Sequence, residues 1–156
     1  MKIGITGCAG RMGRMLIAEV IGRDGAELAG GAERPGHEAV GRDLGVLAGG
    51  LSIGIEVTAD PQALFDLAEA VIDFTSPEST MANTEIAAAS GRALIIGTTG
   101  LEAEHQAAID LAAKKTVIVQ AANMAPGVNL LLGLVGRVSR TLGPDYDIEI
   151  VEMHHR

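Results

Sequence analysis

Three glycines spaced three apart, Gly7, Gly10 and Gly13, follow the apolar run Lys2 to Thr6 and precede the helix-forming run Arg14 to Ile21. A strand that passes through a glycine turn into a helix presents unpaired backbone N–H groups and the positive end of the helix dipole, and both suit a phosphate. The spacing G-x-x-G-x-x-G differs from the usual dinucleotide fingerprint G-x-G-x-x-G, so the glycines alone leave a purely structural turn open. Glu33 strengthens the binding reading. It stands twenty residues after Gly13, at the tip of the next strand, where a carboxylate accepts hydrogen bonds from an adenosine ribose. Arg34 beside it suits the 2′-phosphate of NADP, so the pair is compatible with either NAD or NADP. Arg11, at the start of the helix, either helps to hold a phosphate or faces solvent. Cys8 fits the turn through its small size, with no base near it in sequence to make a reactive thiol.

The second constellation is the end of the chain, Glu152-Met153-His154-His155-Arg156. On a continuing strand adjacent histidines point to opposite faces, which disfavours a shared metal ion. One imidazole could donate a proton near neutral pH, and the alternative is a frayed end or tag remnant. No Ser-His-Asp order and no metal-ligand spacing stands out, and Asp73 and Glu85 have no identifiable partners.

Composition narrows the classes. The chain has 156 residues, 47% of them apolar and only 2% aromatic, with a net charge of −8 and a single cysteine. The core must therefore be built from Ala, Val, Ile, Leu and Met, which suits helices packed closely on a parallel sheet. An acidic chain poor in aromatics is an unsuitable partner for nucleic acid. One cysteine excludes an internal disulfide and a Cys-rich metal site. No apolar run reaches membrane-spanning length and no signal peptide precedes the first strand, so a soluble, cytoplasmic protein without membrane contact is expected.

The elements that must position these groups alternate regularly. Strands are expected at Ala26 to Ala32, Ile55 to Thr58, Ala70 to Phe74, Ala93 to Gly97 and Thr116 to Gln120. Helices are expected at Gln62 to Glu69, from Ser76-Pro77 to Ala89, from Glu102 to Lys114 and at Val128 to Thr141. Asp60-Pro61 and Ser76-Pro77 are helix starts, with a capping side chain followed by proline in the first turn. Residues 36 to 54 read as a long glycine-rich loop with one helical turn near Asp43-Leu44-Gly45. The alternation predicts an α/β fold, a doubly wound parallel sheet forming a Rossmann-type dinucleotide-binding domain over residues 1–125. Residues 126–156 then begin a second, α+β domain, including a half-exposed strand at Asp147 to Glu152 whose apolar residues alternate. Ligands of such sheets lie beyond the carboxyl ends of the strands, here Thr6-Gly7-Cys8, Glu33-Arg34, Phe74-Thr75-Ser76-Pro77, Gly97-Thr98-Thr99 and Ala121-Ala122-Asn123-Met124.

Taken together, Gly7-Cys-Ala-Gly-Arg-Met-Gly13, Asp73-Phe-Thr-Ser-Pro77, Gly97-Thr-Thr-Gly100, Ala121-Ala-Asn-Met124, Gly127-Val-Asn129 and Glu152-Met-His-His-Arg156 resemble the 4-hydroxy-tetrahydrodipicolinate (dihydrodipicolinate) reductases. The resemblance runs along the whole chain. It implies an oxidoreductase of diaminopimelate and lysine biosynthesis that passes a hydride from NADH or NADPH to a small dicarboxylate substrate. It further implies that Gly7, Cys8, Ala9, Gly10, Arg11 and Met12 hold the pyrophosphate and that Glu33 and Arg34 meet the adenosine ribose. Gly97, Thr98, Thr99, Ala121, Ala122, Asn123 and Met124 would line the nicotinamide side, with His154 the proton donor and His155 on a substrate carboxylate. Members of the family are homotetramers and continue past the paired histidines into Lys-x-Asp-Ala-Pro-Ser-Gly-Thr, which this sequence does not contain. The expectation is a fragment that binds cofactor with little or no turnover and lacks most of the assembly domain. A non-catalytic nucleotide-binding module or redox sensor is the alternative.

Overall fold

The computed structural model describes residues 1–151 and 153. Six strands form one all-parallel sheet: β1 (Lys2–Thr6), β2 (Glu27–Ala32), β3 (Val57–Thr58), β4 (Ala70–Asp73), β5 (Ala93–Ile96) and β6 (Ile118–Gln120). Their order across the sheet is β3-β2-β1-β4-β5-β6, so the direction of winding reverses between β1 and β4. The connecting helices are α1 (Arg11–Ile21), α2 (Leu44–Leu47), α3 (Pro61–Leu67), α4 (Pro77–Ser90) and α5 (Ala103–Ala112). This is the doubly wound α/β architecture expected from the alternation of short apolar runs with helical ones.

Local chemistry fixes the helix starts. The Asp60 carboxylate accepts from Gln62 N–H at 2.9 Å and Ala63 N–H at 3.3 Å, with Pro61 pre-set for the first turn. Ser76 Oγ accepts from Ser79 N–H at 3.4 Å at the head of α4, which ends on left-handed Gly91. Helix α5 stops at Ala112, and Lys114 and Lys115 lie beyond its last turn. The expected extension to Lys114 gives way to tight turns there, with Lys115 N–H bonded to Ala112 O at 2.8 Å.

Register decides which residues share a face, because side chains alternate along a strand. Gly4, Val71, Leu94 and Ile118 are in register, as are Thr6, Asp73, Ile96 and Gln120. These two rows lie on the face where Leu64 and Phe65 of α3, Ala87 of α4 and Ile109 of α5 join Val71, Leu94 and Ile96 in one buried cluster. Ile5, on the other face, packs with Ile17 and Val20 of α1 and Leu44 and Leu47 of α2 in a second cluster. Aliphatic side chains of both the sheet and the helices, with Phe65 of α3, supply the core, as a composition almost without aromatics requires.

The glycine-rich segment 36–54 is organised by one side chain. Asp43 accepts from Val46 N–H, Ile53 N–H, Gly54 N–H and the Ser52 hydroxyl, at 3.1, 3.1, 2.7 and 2.9 Å. Partial desolvation pushes its pKa up, but the four donors outweigh it and bring the carboxyl down to about 2.

The chain divides into two compact units, Met1–Ala122 and Asn123–Arg156. The second holds α6 (Pro126–Leu142), with Pro126 in the first turn, followed by irregular chain through Val151. The strand expected over Asp147 to Glu152 does not form over its described residues, 147–151. Alternating Ile148 and Ile150 express a side-chain preference, but a ladder also needs a neighbouring backbone, and neither isoleucine is buried, at 63% and 82% exposure. Among the described residues, no helix is long and apolar enough to cross a membrane.

Candidate nucleotide site

The turn after β1 is built by backbone packing. Gly7 takes φ +69°, a left-handed conformation, and its N–H bonds to Ala32 O at 3.0 Å. Gly13, inside α1, lies against the turn so closely that a Cβ would overlap the Gly7 carbonyl oxygen and come within 2.6 Å of Cys8 Cα. Gly10 is the N-cap of α1, and no side chain caps the helix. The first N–H groups of α1 therefore keep no intrahelical partner and no side-chain one, as a phosphate-binding helix end requires. Arg14 reaches back along the helix, its Nε donating to Ala9 O at 2.9 Å. Arg11 and Met12 are both exposed in the first turn.

Glu33 closes the turn from the side of β2. Its Oε1 accepts from Ala9 N–H at 2.9 Å, so the carboxylate is held against the turn by a backbone donor. Cys8, fully buried beneath them, has its thiol pKa pushed up to about 12, first by burial and then by the negative charge of Glu33. A thiol so placed is neutral and fills space, as its small size suggested.

In front of the turn opens a crevice of about 360 Å³. Its walls include Thr6, Gly7 and Gly10 from the turn, Glu33, Arg34 and Pro35 from the end of β2, and Phe74, Thr75 and Ser76 from the end of β4. It thus lies across the reversal of strand order between β1 and β4, where doubly wound sheets bind their ligands. Ser79, Ala82 and Asn83 of α4 and Ala59 and Pro61 also line it, and the strand-end reading missed these. The signal was available for Ser79 and Asn83, which follow Ser76 at helical spacings of three and seven and so share its face.

The remaining residues expected at the site are distributed as follows. Gly97 and Thr98 are buried at the end of β5, Gly97 under the Phe74 ring and Thr98 with its Oγ1 accepting from Thr75 N–H at 3.0 Å. Thr99 is exposed. Ala121 N–H bonds to Ile96 O at 3.2 Å, which holds the end of β6 beside that of β5, and Ala122 is exposed next to it. Asn123 and Met124 belong to the second unit. There Asn123 Oδ1 accepts from Ala125 N–H at 2.9 Å and its carbonyl accepts from Asn129 Nδ2 at 2.8 Å. His154 and His155 lie outside the described residues. Among the described residues no group of three or more His, Cys, Asp or Glu is placed to hold a metal ion.

One expectation is corrected. Asp73 does have partners: the hydroxyls of Thr6, Thr75 and Thr80 donate to its carboxylate at 2.8, 2.7 and 2.6 Å, and Asn83 Nδ2 at 3.3 Å. Thr75 lies in the connection between β4 and α4 and Thr80 and Asn83 lie on α4, whereas Thr6 comes from β1, 67 positions away, and no local sequence pattern reaches that partner.

A parallel doubly wound sheet, an uncapped helix behind a glycine turn and an acid at the tip of β2 define a Rossmann-type nucleotide-binding domain. The particular lineage follows from comparison. Residues 1–124 match the model of the N-terminal part of dihydrodipicolinate reductase, and the chain belongs to that family. It is 51% identical over 154 residues to the 4-hydroxy-tetrahydrodipicolinate reductase of Dinoroseobacter shibae, covering 99% of this chain and 57% of that protein. It is 49% identical over 156 residues to that of Methylocella silvestris, covering 100% of this chain and again 57% of the relative. The chain thus spans little more than half the length of these relatives. Among solved structures, a dipicolinate-bound dihydrodipicolinate reductase from Paenisporosarcina sp. TG-14 superposes with a TM-score of 0.70 at 22% identity, over 88% of this chain and 53% of that one. An amine dehydrogenase from Mycobacterium smegmatis superposes at 0.60 with 20% identity, over 77% of this chain and 38% of its own. Both likenesses bear on the fold alone.

Proposed function

We propose that this chain is the cofactor-binding part of a 4-hydroxy-tetrahydrodipicolinate reductase, an NADH- or NADPH-dependent oxidoreductase of diaminopimelate and lysine biosynthesis. The observation that carries the reading is the uncapped start of α1 behind Gly7, Gly10 and Gly13, with Glu33 fixed beside it, in a chain of this family. A reduced nicotinamide, when bound, would supply a hydride to the ring of the dicarboxylate substrate, after or with loss of its 4-hydroxyl as water, yielding tetrahydrodipicolinate and the oxidised nicotinamide.

This chain's residues bind and orient. The N–H groups at Arg11, Met12 and Gly13 face the pyrophosphate, whose charge complements the helix dipole. Cys8 and Ala9 pack below the turn and keep its shape. Glu33 accepts from ribose hydroxyls through the carboxylate oxygen not bonded to Ala9, and Arg34 answers a 2′-phosphate, so both cofactors are accommodated. The family resemblance assigns Gly97, Thr98, Thr99, Ala121, Ala122, Asn123 and Met124 to the nicotinamide side. His154 donates the proton that accompanies hydride transfer, and His155 contacts a substrate carboxylate. Residues 126–156 begin the substrate-binding and assembly domain of a homotetrameric enzyme. The Lys and Ser-Gly-Thr segment of the family is not among these 156 residues. These 156 residues by themselves are proposed to bind cofactor, with turnover depending on that segment.

Titration of the chain with NADH and NADPH, followed by nicotinamide fluorescence, tests the reading. Saturable binding of either supports it, and no binding of either overturns it. A turnover assay against a full-length relative tests the second part: comparable rates would refute the division of labour.

A further inference from the structure

Asp73 is fully buried at the end of β4, and among the described residues no Lys, Arg or His pairs with it. A carboxylate in that position is costly unless hydrogen bonds satisfy it. The structure provides four side-chain donors. Thr6, Thr75 and Asn83 converge on Oδ1, and Thr80 donates to Oδ2. Thr6 and Asp73 are direct register partners across β1 and β4, at the reversal of strand order where the crevice opens.

The network does not end at the carboxylate. The hydroxyls of Thr80 and Thr98 lie 2.9 Å apart, and Thr98 Oγ1 also accepts from Thr75 N–H. A hydroxyl carries one proton. Thr80 Oγ1 stands within donating reach of both Asp73 Oδ2, at 2.6 Å, and Thr98 Oγ1, so its single proton links the two. One side chain thereby orders the ends of β1, β4 and β5 relative to α4. Thr6, Thr75 and Asn83 line the crevice, whereas Asp73 and Thr80 do not.

We infer that Asp73 is a positioning residue for the bound dinucleotide: acting through Thr6, Thr75, Asn83 and the Thr80–Thr98 pair, it sets the spacing of the strand ends that the cofactor spans. The inference rests on the proposed cofactor reading. An acceptor-only group is needed because every neighbour donates. In Asp73→Asn, with the amide oxygen kept toward Thr6 and Thr75, the amide N–H₂ faces Thr80. Thr80 must then accept from that amide and turn its proton to Thr98, so its donation to residue 73 is lost together with the charge on which Thr6, Thr75 and Asn83 converge.

The experiment measures NADH and NADPH dissociation constants of this chain and of Asp73→Asn, Thr80→Val, Thr80→Ser and Leu94→Ala, with far-UV circular dichroism reporting the folded fraction. Thr80→Val keeps the shape but removes the hydroxyl, whereas Thr80→Ser keeps the hydroxyl and loses a methyl group. Leu94→Ala weakens the core on the same face without touching the network. Asp73→Asn and Thr80→Val are expected to weaken binding by about fivefold or more, the scale of one lost buried hydrogen bond. Thr80→Ser and Leu94→Ala should stay within about twofold of the parent when folded. Parent-like affinity in Thr80→Val, or equal losses in Thr80→Ser or Leu94→Ala, would make the network mere packing and overturn the inference. If Asp73→Asn does not fold, the Thr80 pair decides alone. Failure of the unsubstituted chain to bind either cofactor would instead bring down the cofactor reading, and the inference with it.

Discussion

Glu33 offers the sharpest test of how the crevice reads its ligand. Its Oε1 is held by Ala9 N–H at 2.9 Å, which leaves Oε2, with only a long 3.4 Å approach from Arg34 N–H, to accept from a ribose. Glu33→Gln keeps the size and one carbonyl oxygen to meet Ala9, but turns the second oxygen into a donor and removes the charge. A hydrogen bond to a charged group contributes about 1.5–3 kcal/mol, so NADH affinity should fall by roughly 10- to 100-fold. NADPH should respond in the opposite sense. A carboxylate about 4 Å from a 2′-phosphate charge costs ~4 kcal/mol at a surface-like effective dielectric of about 20, and ~1 kcal/mol in bulk water. The site is half-open, so relief near the lower bound is the safer expectation, a gain of about fivefold. The preference for NADPH over NADH would then rise by at least about 50-fold. Parallel fluorescence titrations of both cofactors at low and high salt measure it. The predicted NADPH gain should shrink at high salt, because exposed charges are screened. Unchanged NADH affinity in Glu33→Gln would refute the ribose role. A parallel fall in both affinities would show instead that Glu33 serves the shape of the turn.

Arg34→Ala should weaken NADPH and leave NADH nearly untouched; unchanged NADPH affinity would remove Arg34 from the 2′-phosphate. Gly13→Ala places a Cβ on the Gly7 carbonyl, and such overpacking costs about 1–3 kcal/mol, so a lower melting temperature together with lost nucleotide binding is expected. Parent values of both would mean the turn can relax. The Cys8 thiol, raised from the ordinary 9.0 to about 12, contributes stability that is complete below pH 9 and is lost as the pH climbs toward 12. Thiol labelling at pH 8 should be slow in the folded chain and fast in denaturant, and rapid native labelling would contradict the burial. Asp43 is depressed from 3.8 to about 2, so its support of the 36–54 loop is complete above the ordinary carboxylate value and disappears as the pH falls toward 2. Amide exchange at Val46, Ile53 and Gly54 should accelerate in Asp43→Asn at neutral pH, and unchanged protection would show that the loop is held by other contacts.

What could be read from the sequence was local. Asp60-Pro61 and Ser76-Pro77 mark helix starts because capping and proline chemistry operate over three residues, and the structure uses both. The glycine turn and Glu33 were legible for a related reason: the first crossover has a nearly fixed length, so the tip of β2 returns to the turn. The Asp73 network was not legible. Thr6 and Asp73 are 67 positions apart and meet only because β1 and β4 are neighbours in register, a fact of sheet order that no window of sequence contains. The failure at residues 147–151 has the same cause in reverse. Their alternation anticipates a sheet, but the hydrogen bonds of a strand belong to its neighbour.

Two carboxylates flank the strand that leads into the turn, and their treatment explains how a chain of net charge −8 can offer a crevice to an anionic ligand. Glu33 is held by a backbone N–H of the turn itself, on the side where a ribose, not a phosphate, would lie. Asp73 is withdrawn below the surface and surrounded by three hydroxyls and an amide. Neither uses an arginine, so Arg11 and Arg34 remain outside any ion pair among the described residues, and Arg14 is committed only to the Ala9 carbonyl. Net charge acts at long range and is screened within about 10 Å at ordinary salt, whereas N–H groups and guanidinium donors act at contact. Affinity for a pyrophosphate would therefore be decided by the few groups around the start of α1. The acids elsewhere on the chain affect its solubility far more than its ligand.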